Sequence, residues 1–345
     1  MLLGAIGLLS FYLHPEFFVD KLQQFRVWRM GLQQESVVLN GQKIHYLVGG
    51  AGKPLVLVHG LGGRSEDWIA LIPQLVNHGY RVYAPDLLGY GQSARPDVDY
   101  SISLEENIVR LFLDSQNLKQ PDMAGWSMGG WIALKFAADR PERVHKLILL
   151  DSAGVSFDAR NVPLLRPKTE ADLARMMNVL TPHPPSIPSF YAADLLRGFA
   201  REDWIIDRAL KSMYTGKDLM DGRLGTVKAP VLLIWGRQDV LTPPSMGEQM
   251  RSGIPHSELK AFDGCGHLAP VECSGEVGQA MVEFLKSGDA SGQRSTFHQE
   301  MLTKSNWAGT CTKVTPGLKL ERNSPSESIG IRAMIAPENG RTTQS

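Results

Sequence analysis

The stretch 125–129, with the sequence Gly-Trp-Ser-Met-Gly, constrains the fold of this chain more than any other. It fits Gly-x-Ser-x-Gly, the sharp turn from a strand into a helix that raises a serine above the edge of a sheet. The two glycines let the strand and the helix approach each other where a Cβ would clash. The apolar residues that follow predict a helix, which Pro141 ends. Because the same pattern arises by chance in many proteins, the rest of the chain has to support it.

Length and composition indicate one large domain with additional segments. The chain has 345 residues, and 43% of them are hydrophobic, which suffices for a sizeable core. The formal net charge is +0, so no electrostatic argument points to nucleic acid or another polyanion. Cys265, Cys273 and Cys311 show no Cys-x-x-Cys spacing, and this odd set predicts neither a disulfide framework nor a zinc site. Neither a His-Glu-x-x-His motif nor a phosphate-binding glycine loop is present, so we expect no metal and no cofactor.

Apolar runs that read as buried strands alternate with helical segments through the body of the chain, 35–154 and 226–286. This alternation predicts a parallel, doubly wound sheet with helices on both faces, whose ligands bind above the carboxyl ends of the strands. Glycine-rich loops follow these runs, so we expect the loops to meet at one edge. The Asn40-Gly41 pair predicts a hairpin at the start of the body. The helices predicted in the body include 65–75, 103–117 (opened by a Ser103/Glu106 capping box) and 276–286.

Between residues 155 and 225 this alternation lapses. Three helices are predicted here, over 169–180, 189–199 and 202–214, with a proline-rich break after the first. We expect this helical cap, called the cap segment below, to cover the carboxyl ends of the strands. Its Met, Leu, Phe and Tyr residues would then line an apolar pocket. The alternative is that they only attach the segment to the body.

Residues 1–34 form an N-terminal leader outside the body. Its run 2–13 is almost wholly apolar, but it is shorter than the ~20 residues that a membrane-spanning helix needs. An amphipathic helix with cations near its apolar face is predicted after Pro15, and such a helix can lie in a membrane interface. The alternative is that it packs on the body of the chain. The residues of its apolar face are Phe18, Leu22, Phe25 and Trp28.

Residues 287–345 form a second segment outside the body. Ser, Thr, Gly, Asn, Pro and charged residues dominate this tail without a sustained hydrophobic period, so it is predicted to be disordered. The alternative is a small docking element around residues 334–336.

Further motifs occur in the order and spacing of the α/β-hydrolase fold family. The chain resembles this family over roughly residues 36–286, and within the family it is most similar to bacterial lipase/esterases and membrane-associated monoacylglycerol lipases. The resemblance implies a mostly parallel, eight-stranded-type sheet with helices on both faces and a helical cap. It also implies a serine carboxylic-ester hydrolase that forms an acyl-enzyme. The motifs that carry it are His59-Gly60, Asp86-x-x-Gly-x-Gly-x-Ser93, the stretch 125–129, Gly236-x-x-Asp239 and Gly266-His267.

The chemistry of a serine hydrolase needs a base and an acid beside the nucleophile Ser127. His59 and His267 both lie in glycine-flanked loops after strands. His59 precedes the nucleophile's strand and is expected to shape its turn, so His267 is the predicted base, in the chain order Ser, Asp, His. Asp239 follows a buried strand and is the predicted acid. Asp151 is the alternative acid, because some family members place it there.

Two other aspartates are assigned to the loops in which they lie. Asp263 is close to the predicted base in sequence, but we expect it to belong to the turn. Asp86 opens its glycine-rich loop and is predicted to be structural.

The oxygen of a tetrahedral intermediate has to meet main-chain N–H groups that are already in place. The amide of Met128, directly after the serine, is one predicted donor. The turn after His59 should supply the other, and the amide of Leu61 is the candidate. These two amides form the predicted oxyanion hole.

The predicted substrate is a small, lipid-like ester such as a monoacylglycerol. The leader predicts association with a membrane surface through residues 1–30, with a cytoplasmic location as the alternative. Two other functions stay open: hydrolysis of C–C bonds in dienoic ketones, and ligand binding with little turnover. A C–C hydrolase usually needs a cation for the substrate's carboxylate, for which the cap segment offers Arg166, Arg175 and Arg197.

Overall fold

A computed structural model describes residues 12–287. Residues 1–11 of the leader and residues 288–345 of the predicted tail, with Cys311, lie outside the described residues. The described part contains an eight-stranded sheet in the order β1-β2-β4-β3-β5-β6-β7-β8. Its strands are β1 Gln33–Leu39, β2 Gln42–Gly50, β3 Lys53–Val58, β4 Tyr80–Pro85, β5 Asp122–Trp126, β6 Leu147–Leu150, β7 Val231–Gly236 and β8 Ser257–Phe262.

All strand pairs from β4 through β8 are parallel, whereas β1 and β2 join the sheet by antiparallel pairing. The central strands β5, β6 and β7 are buried at every residue. They are continuously apolar because helices cover both faces of a parallel sheet. Trp126 pairs with Leu150, and Leu150 pairs with Ile234, so β5 and β6 end side by side and β7 extends two residues further. The predicted doubly wound sheet is confirmed.

Helices pack on both faces of this sheet and form two apolar clusters. One cluster contains Phe112, Ile132 and Trp235, and the other contains Leu55 and Phe284. The helices of the described part are α1 Pro15–Arg29, α2 Ile72–Asn77, α3 Ile102–Ser115, α4 Met128–Asp139, α5 Glu170–Leu180, α6 Ser189–Tyr214, α7 Pro244–Gly253, α8 Ala269–Glu272 and α9 Ser274–Lys286.

Helix α3 starts earlier than predicted, and its predicted capping box is wrong. Ser101 is the N-cap, and its hydroxyl accepts a hydrogen bond from the Leu104 amide at 3.1 Å. The Ser103 hydroxyl instead donates to Asp218 of the cap segment at 2.6 Å. With the helix starting at Ile102, the side chain of this residue lies in the core. Burial of an apolar side chain therefore outweighs the local capping pattern.

Two other helix predictions are wrong. The segment predicted as one helix over 65–75 contains a 3₁₀ turn, Ser65–Trp68, followed by α2. The two helices predicted over 189–199 and 202–214 are one continuous helix, α6. No proline interrupts this stretch, and Gly198, near the predicted break, lies inside the continuous helix.

Helix α1 packs on the rest of the chain with one face and leaves its aromatic residues exposed on the other. The buried residues Gln23 and Val27 are 3% and 1% exposed. Phe25 and Trp28 are 50% and 71% exposed. The alternative, a helix packed on the body of the chain, is therefore confirmed, and contact with a membrane stays a prediction. Within residues 12–287 no helix has the length and apolar character needed to cross a bilayer.

A buried acid lies in the first turn of α3. The Glu105 side chain is 1% exposed, and its Oε2 accepts a hydrogen bond from the Leu88 amide at 3.1 Å. Burial raises the pKa of Glu105 to about 8. The folded protein therefore keeps this proton at neutral pH, whereas an unfolded chain releases it near the ordinary pKa of 4.5.

We expect Glu105→Gln to stabilise the protein at pH 8 and to have little effect at pH 4.5. Between these values the folded state binds more protons than the unfolded state, so the free energy of unfolding falls as pH rises. Glutamine does not ionise, so the substitution removes this fall in the free energy of unfolding. The unfolding midpoint at pH 8 should rise by a few degrees, since ~1 kcal/mol corresponds to roughly 2–4 °C for a chain of this size. Thermal unfolding from pH 4.5 to 8 measures this, with exposed Glu248→Gln as control. An equal shift of the unfolding midpoint at pH 4.5 and at pH 8 would contradict this prediction.

Candidate active site

The serine of the elbow lies in a strained turn between β5 and α4. Ser127 has φ 57° and ψ −119°, a conformation that non-glycine residues seldom adopt. A Cβ on Gly125 would collide with the Gly129 carbonyl, and one on Gly129 would collide with the carbonyls of Val58, the last residue of β3, and of His59. The two glycines thus let α4 approach the sheet closely. This packing places the partly exposed hydroxyl of Ser127 above the carboxyl end of β5.

The structure brings Ser127, His267 and Asp239 together. Ser127 Oγ lies 2.9 Å from His267 Nε2. His267 Nδ1 lies 2.9 Å from Asp239 Oδ2. The imidazole and the carboxylate are 4% and 2% exposed. An ionised carboxylate only accepts, so it selects the tautomer with a hydrogen on Nδ1, which leaves Nε2 free to accept the serine proton.

The Asp239 carboxylate is held by the loop in which it lies. Its Oδ1 accepts hydrogen bonds from the amides of Leu241 and Thr242, at 2.8 and 2.9 Å. The Thr242 hydroxyl donates to Oδ2 at 2.6 Å and lies 3.0 Å from His267 Nδ1. Three hydrogen bonds therefore fix the carboxylate opposite the imidazole. Thr242 was not among the predicted site residues, although a hydroxyl residue three positions after a predicted acid is a detectable signal.

Asp151, the alternative acid, makes a different contact from that of Asp239. It follows β6 in a left-handed conformation with φ 43°, and its Oδ1 accepts a hydrogen bond from the Gly236 amide at 2.8 Å. Burial and then the charge of Asp239 raise its pKa well above the ordinary value. The imidazole of His267 is bonded to Asp239 instead, so Asp151 does not take the place of the acid beside the base.

The two other aspartates serve their loops. Asp86 is fully buried and accepts hydrogen bonds from the amides of Ser65 and Gln92, at 2.7 and 2.8 Å. Asp263 is largely exposed and pairs with Arg237 at 3.2 Å. Neither carboxylate is directed at the Ser127–His267 pair by these contacts, in agreement with the roles expected from the sequence.

The two residues predicted to supply the oxyanion amides lie in the first turn of α4 and in the turn after β3. Met128 opens α4, and the first amides of a helix have no acceptor within the helix. Leu61 lies in the turn 60–63, which the Gly63 amide closes by donating to the Gly60 carbonyl at 3.1 Å. A Cβ on Gly60 would lie only 3.2 Å from the Ser127 Cβ, so this turn runs directly beside the serine.

His59 links this turn to the loop after β4. Its Nε2 accepts a hydrogen bond from the Leu87 amide at 2.9 Å. The hydrogen of the neutral ring is therefore on Nδ1, which donates to the Gly60 carbonyl at 2.8 Å. Burial lowers the pKa of His59 and keeps the ring uncharged. These contacts match the structural role that the sequence predicts for this residue.

A disulfide bond joins Cys265 and Cys273 on either side of His267. The expectation that the cysteines form no disulfide is therefore wrong. That expectation rested on the odd number of cysteines in the chain. The third cysteine, Cys311, lies outside the described residues. The short helix α8 folds the eight-residue interval back on itself, which brings the two side chains together. No spacing rule shows this before the path of the loop is known.

Two further contacts fix the loop of His267. The Trp126 indole donates to the His267 carbonyl at 2.9 Å. The Glu272 carboxylate accepts from the Gly266 amide at 2.9 Å and also from the Thr181 hydroxyl. Thr181 directly follows α5, so the cap segment and the loop of the base share a hydrogen-bonded partner. Neither contact is detectable from sequence spacing.

A model of the alpha/beta hydrolase family matches residues 55–280, about two thirds of the chain. The chain belongs to the alpha/beta hydrolase family. Its sheet, its helices on both faces and its elbow are those of the α/β-hydrolase fold.

Relatives of this alpha/beta hydrolase include enzymes of two kinds. A 2-hydroxy-6-oxononadienedioate/2-hydroxy-6-oxononatrienedioate hydrolase from Paraburkholderia phymatum is 32% identical, over 70% of this chain and 91% of the relative. Lipase 1 from Psychrobacter immobilis is 29% identical, over 77% of this chain and 88% of the relative. Among solved structures, a membrane phospholipase A has a TM-score of 0.74 and 26% identity, over 82% of this chain and 95% of that one. The resemblance to lipases is thus confirmed, and both kinds of hydrolase are close in sequence.

We expect Asp239→Asn to reduce kcat about ten-thousandfold, because an amide can present a donor to Nδ1 and favour the wrong tautomer. Asp151→Asn should retain kcat within about threefold, since the amide oxygen of asparagine can accept the same hydrogen bond from Gly236. Hydrolysis of a soluble p-nitrophenyl ester by the two purified variants measures the difference. Equal losses in two folded variants would contradict these assignments.

Proposed function

We propose that this hydrolase is a serine carboxylic-ester hydrolase that acts through an acyl-enzyme on apolar, lipid-like esters. The observation that carries the proposal is the hydrogen-bonded row Ser127–His267–Asp239 at the carboxyl end of the sheet. A buried imidazole between a hydroxyl and a carboxylate is the arrangement that turns serine into a nucleophile.

In the first step Ser127 Oγ attacks the ester carbonyl, and its proton moves to His267 Nε2. The carbonyl oxygen becomes negatively charged and accepts hydrogen bonds from the amides of Met128 and Leu61. Collapse of this intermediate expels the alcohol, which takes the proton from Nε2. Water then attacks the acyl-enzyme with His267 as base, and the acid leaves as Ser127 regains its proton. Asp239 stays ionised and offsets the charge of the imidazolium.

The cap segment supports an apolar substrate. Its helix α6 lies over the turn 60–63, called the oxyanion turn below. The Cδ1 of Ile206 is 3.5 Å from a Cβ built on Gly62 of this turn. Ile205, Leu210 and Met213 of the same helix belong to the apolar cluster that Ile206 and Leu61 share. We infer that the cap segment covers the nucleophile and offers an aliphatic surface to an acyl chain. The names of Lipase 1 and the membrane phospholipase A agree with this substrate class.

A C–C bond hydrolase is the second candidate, favoured by the relatives that carry this activity in their names. That reaction needs a cation for the carboxylate of the substrate. Arg166 binds Asp203 and Asp207 at 2.6 Å, and Arg175 binds Asp172 at 2.5 Å. Arg197 binds Asp194 and the Leu13 carbonyl, both at 2.8 Å. Because their ion pairs occupy all three arginines of the cap segment named above, the ester hydrolase has the better support.

We expect p-nitrophenyl butyrate, octanoate and monoacylglycerols to be hydrolysed faster than p-nitrophenyl acetate. Ser127→Ala should reduce kcat about a millionfold, as loss of a catalytic serine does in other hydrolases. Activity of the purified chain on this series and on a dienoic ketone acid measures the preference. Cleavage of the ketone acid alone would support the second candidate. Failure of a fluorophosphonate to label Ser127 would indicate a ligand-binding protein instead.

We also propose that the protein associates with a membrane surface through α1. Phe17, Phe25 and Trp28 are each at least half exposed on its outer side, next to the cations Lys21 and Arg29. Aromatic and cationic side chains on one helix face are typical of interfacial helices. The apolar run 2–13 precedes this helix in the sequence and supports the same location.

We expect the full chain to sediment with vesicles of phosphatidylglycerol and phosphatidylcholine. Phe25→Ser/Trp28→Ser should reduce the bound fraction severalfold, because removal of two exposed aromatic rings takes apolar area out of the interface. Val38→Ser, at a similarly exposed position on β1, is the matched control. An unchanged bound fraction in the double variant would place the contact elsewhere.

A further inference from the structure

The inner face of α1 binds the residue that directly follows the oxyanion turn. Arg64 Nη2 donates to Asp20 Oδ1 at 2.7 Å and to Gln23 Oε1 at 2.6 Å. Gln23 is 3% exposed, and the Arg64 side chain is 29% exposed. Arg64 follows Gly63, the last residue of the turn 60–63. The helix with the exposed aromatic face is therefore bonded to the end of the turn that runs beside Ser127.

The turn itself has little stiffness of its own. Three of its four residues are glycines, and Gly62 has φ +69°, a conformation that glycine adopts without cost but does not enforce. The Gly63–Gly60 hydrogen bond is its internal closure. The Leu61 amide, as a proposed oxyanion donor, has to be held in a fixed position, because small displacements of reacting groups reduce catalysis strongly. In such a turn, contacts with other parts of the chain have to hold it.

The main chain after the turn is anchored, and the Arg64 side chain adds a link to α1. The Arg64 amide donates to Asp67 Oδ2 at 2.9 Å, and the Ser65 amide donates to the buried Asp86 at 2.7 Å. These bonds connect the main chain of residues 64 and 65 to other residues of the body. The guanidinium reaches in the other direction and ties it to a helix that comes from the leader, 44 and 41 residues earlier in the chain.

We propose that Arg64 is a positioning residue for the oxyanion turn, held in place by Asp20 and Gln23 of α1. The leader then has a second role besides membrane contact, because it keeps the Leu61 amide in the geometry that stabilises the intermediate. This inference rests on the proposed ester hydrolase function. It assigns to the docked face of α1 an effect on turnover that is separate from binding to lipid.

The same helix has a second attachment that provides a matched control. The Glu16 amide donates to Asp194 of α6 at 3.0 Å, and Arg197 donates to the Leu13 carbonyl at 2.8 Å. Arg197→Ala therefore loosens the leader at the cap segment and leaves the contact with Arg64 intact. Asp20→Ala/Gln23→Ala does the reverse, since it removes both bonds from Arg64 to α1 and keeps the contact with α6. The ion pair of Arg64 with Glu66, 3.8 Å away, is left in place by both variants.

The test is the hydrolysis of p-nitrophenyl butyrate by the full chain without lipid, so that membrane attachment does not affect the rate. We expect Asp20→Ala/Gln23→Ala to reduce kcat about tenfold with KM within about twofold, since a displaced donor costs less than the ~100-fold or greater loss from a deleted one. Arg197→Ala should keep kcat within about twofold. Asp20→Asn retains an acceptor for Arg64 and should keep most of the wild-type kcat. Unfolding midpoints and vesicle binding of the same samples separate this effect from lost stability or lost attachment.

Three outcomes would overturn the proposal or its premise. Unchanged kcat in the double variant overturns this inference alone. An equal fall of kcat in Arg197→Ala also overturns it, because general loosening of α1 would then explain the loss. A wild-type chain that hydrolyses no ester overturns the proposed function and this inference with it. If the double variant does not fold, Arg64→Lys carries the same test: a point charge cannot reach both acceptors as a guanidinium does, so kcat should fall severalfold at constant KM.

Discussion

The parallel register of β5, β6 and β7 is the constraint on which the candidate active site depends. Because Trp126, Leu150 and Ile234 lie in one row across these strands and β7 continues only to Gly236, the three strands lead into their loops at the same edge of the sheet. Ser127 and Asp239 are thereby brought close in space although they are more than a hundred residues apart in sequence. A shift of one strand by one residue would turn its side chains to the opposite face and separate the groups.

The loops give two neighbouring carboxyl groups different surroundings. Asp239 accepts hydrogen bonds from two backbone amides and a hydroxyl. Asp151 is fully buried, and burial followed by the charge of Asp239 raises its pKa. Its Oδ1 accepts a hydrogen bond from the Gly236 amide at 2.8 Å. One carboxyl group therefore faces the imidazole, and the other binds the main chain of β7.

Local patterns predicted the parts of this molecule that short stretches of chain determine by themselves. The elbow needs two glycines around a serine, and the buried strands need continuous apolar runs, so both were detectable. The position of the N-cap of α3 was not, because Ser101 and Ser103 are equivalent as caps and only the burial of Ile102 distinguishes them. The disulfide and the Glu272–Thr181 contact depend on the path of the chain between distant residues, which no local pattern contains. The contact of Arg64 with α1 belongs to the same class.

The bond between Cys265 and Cys273 also has a consequence for how such a protein is prepared. Disulfides form in oxidising compartments and are rare in the reducing cytosol. Material produced in the cytosol of an expression host would therefore carry two thiols where an exported chain carries a cystine, and it would be heavier by two hydrogen atoms. The segment that presents the imidazole would be closed covalently in one preparation and open in the other. Intact-mass measurement of each batch is consequently part of any comparison of rates between laboratories.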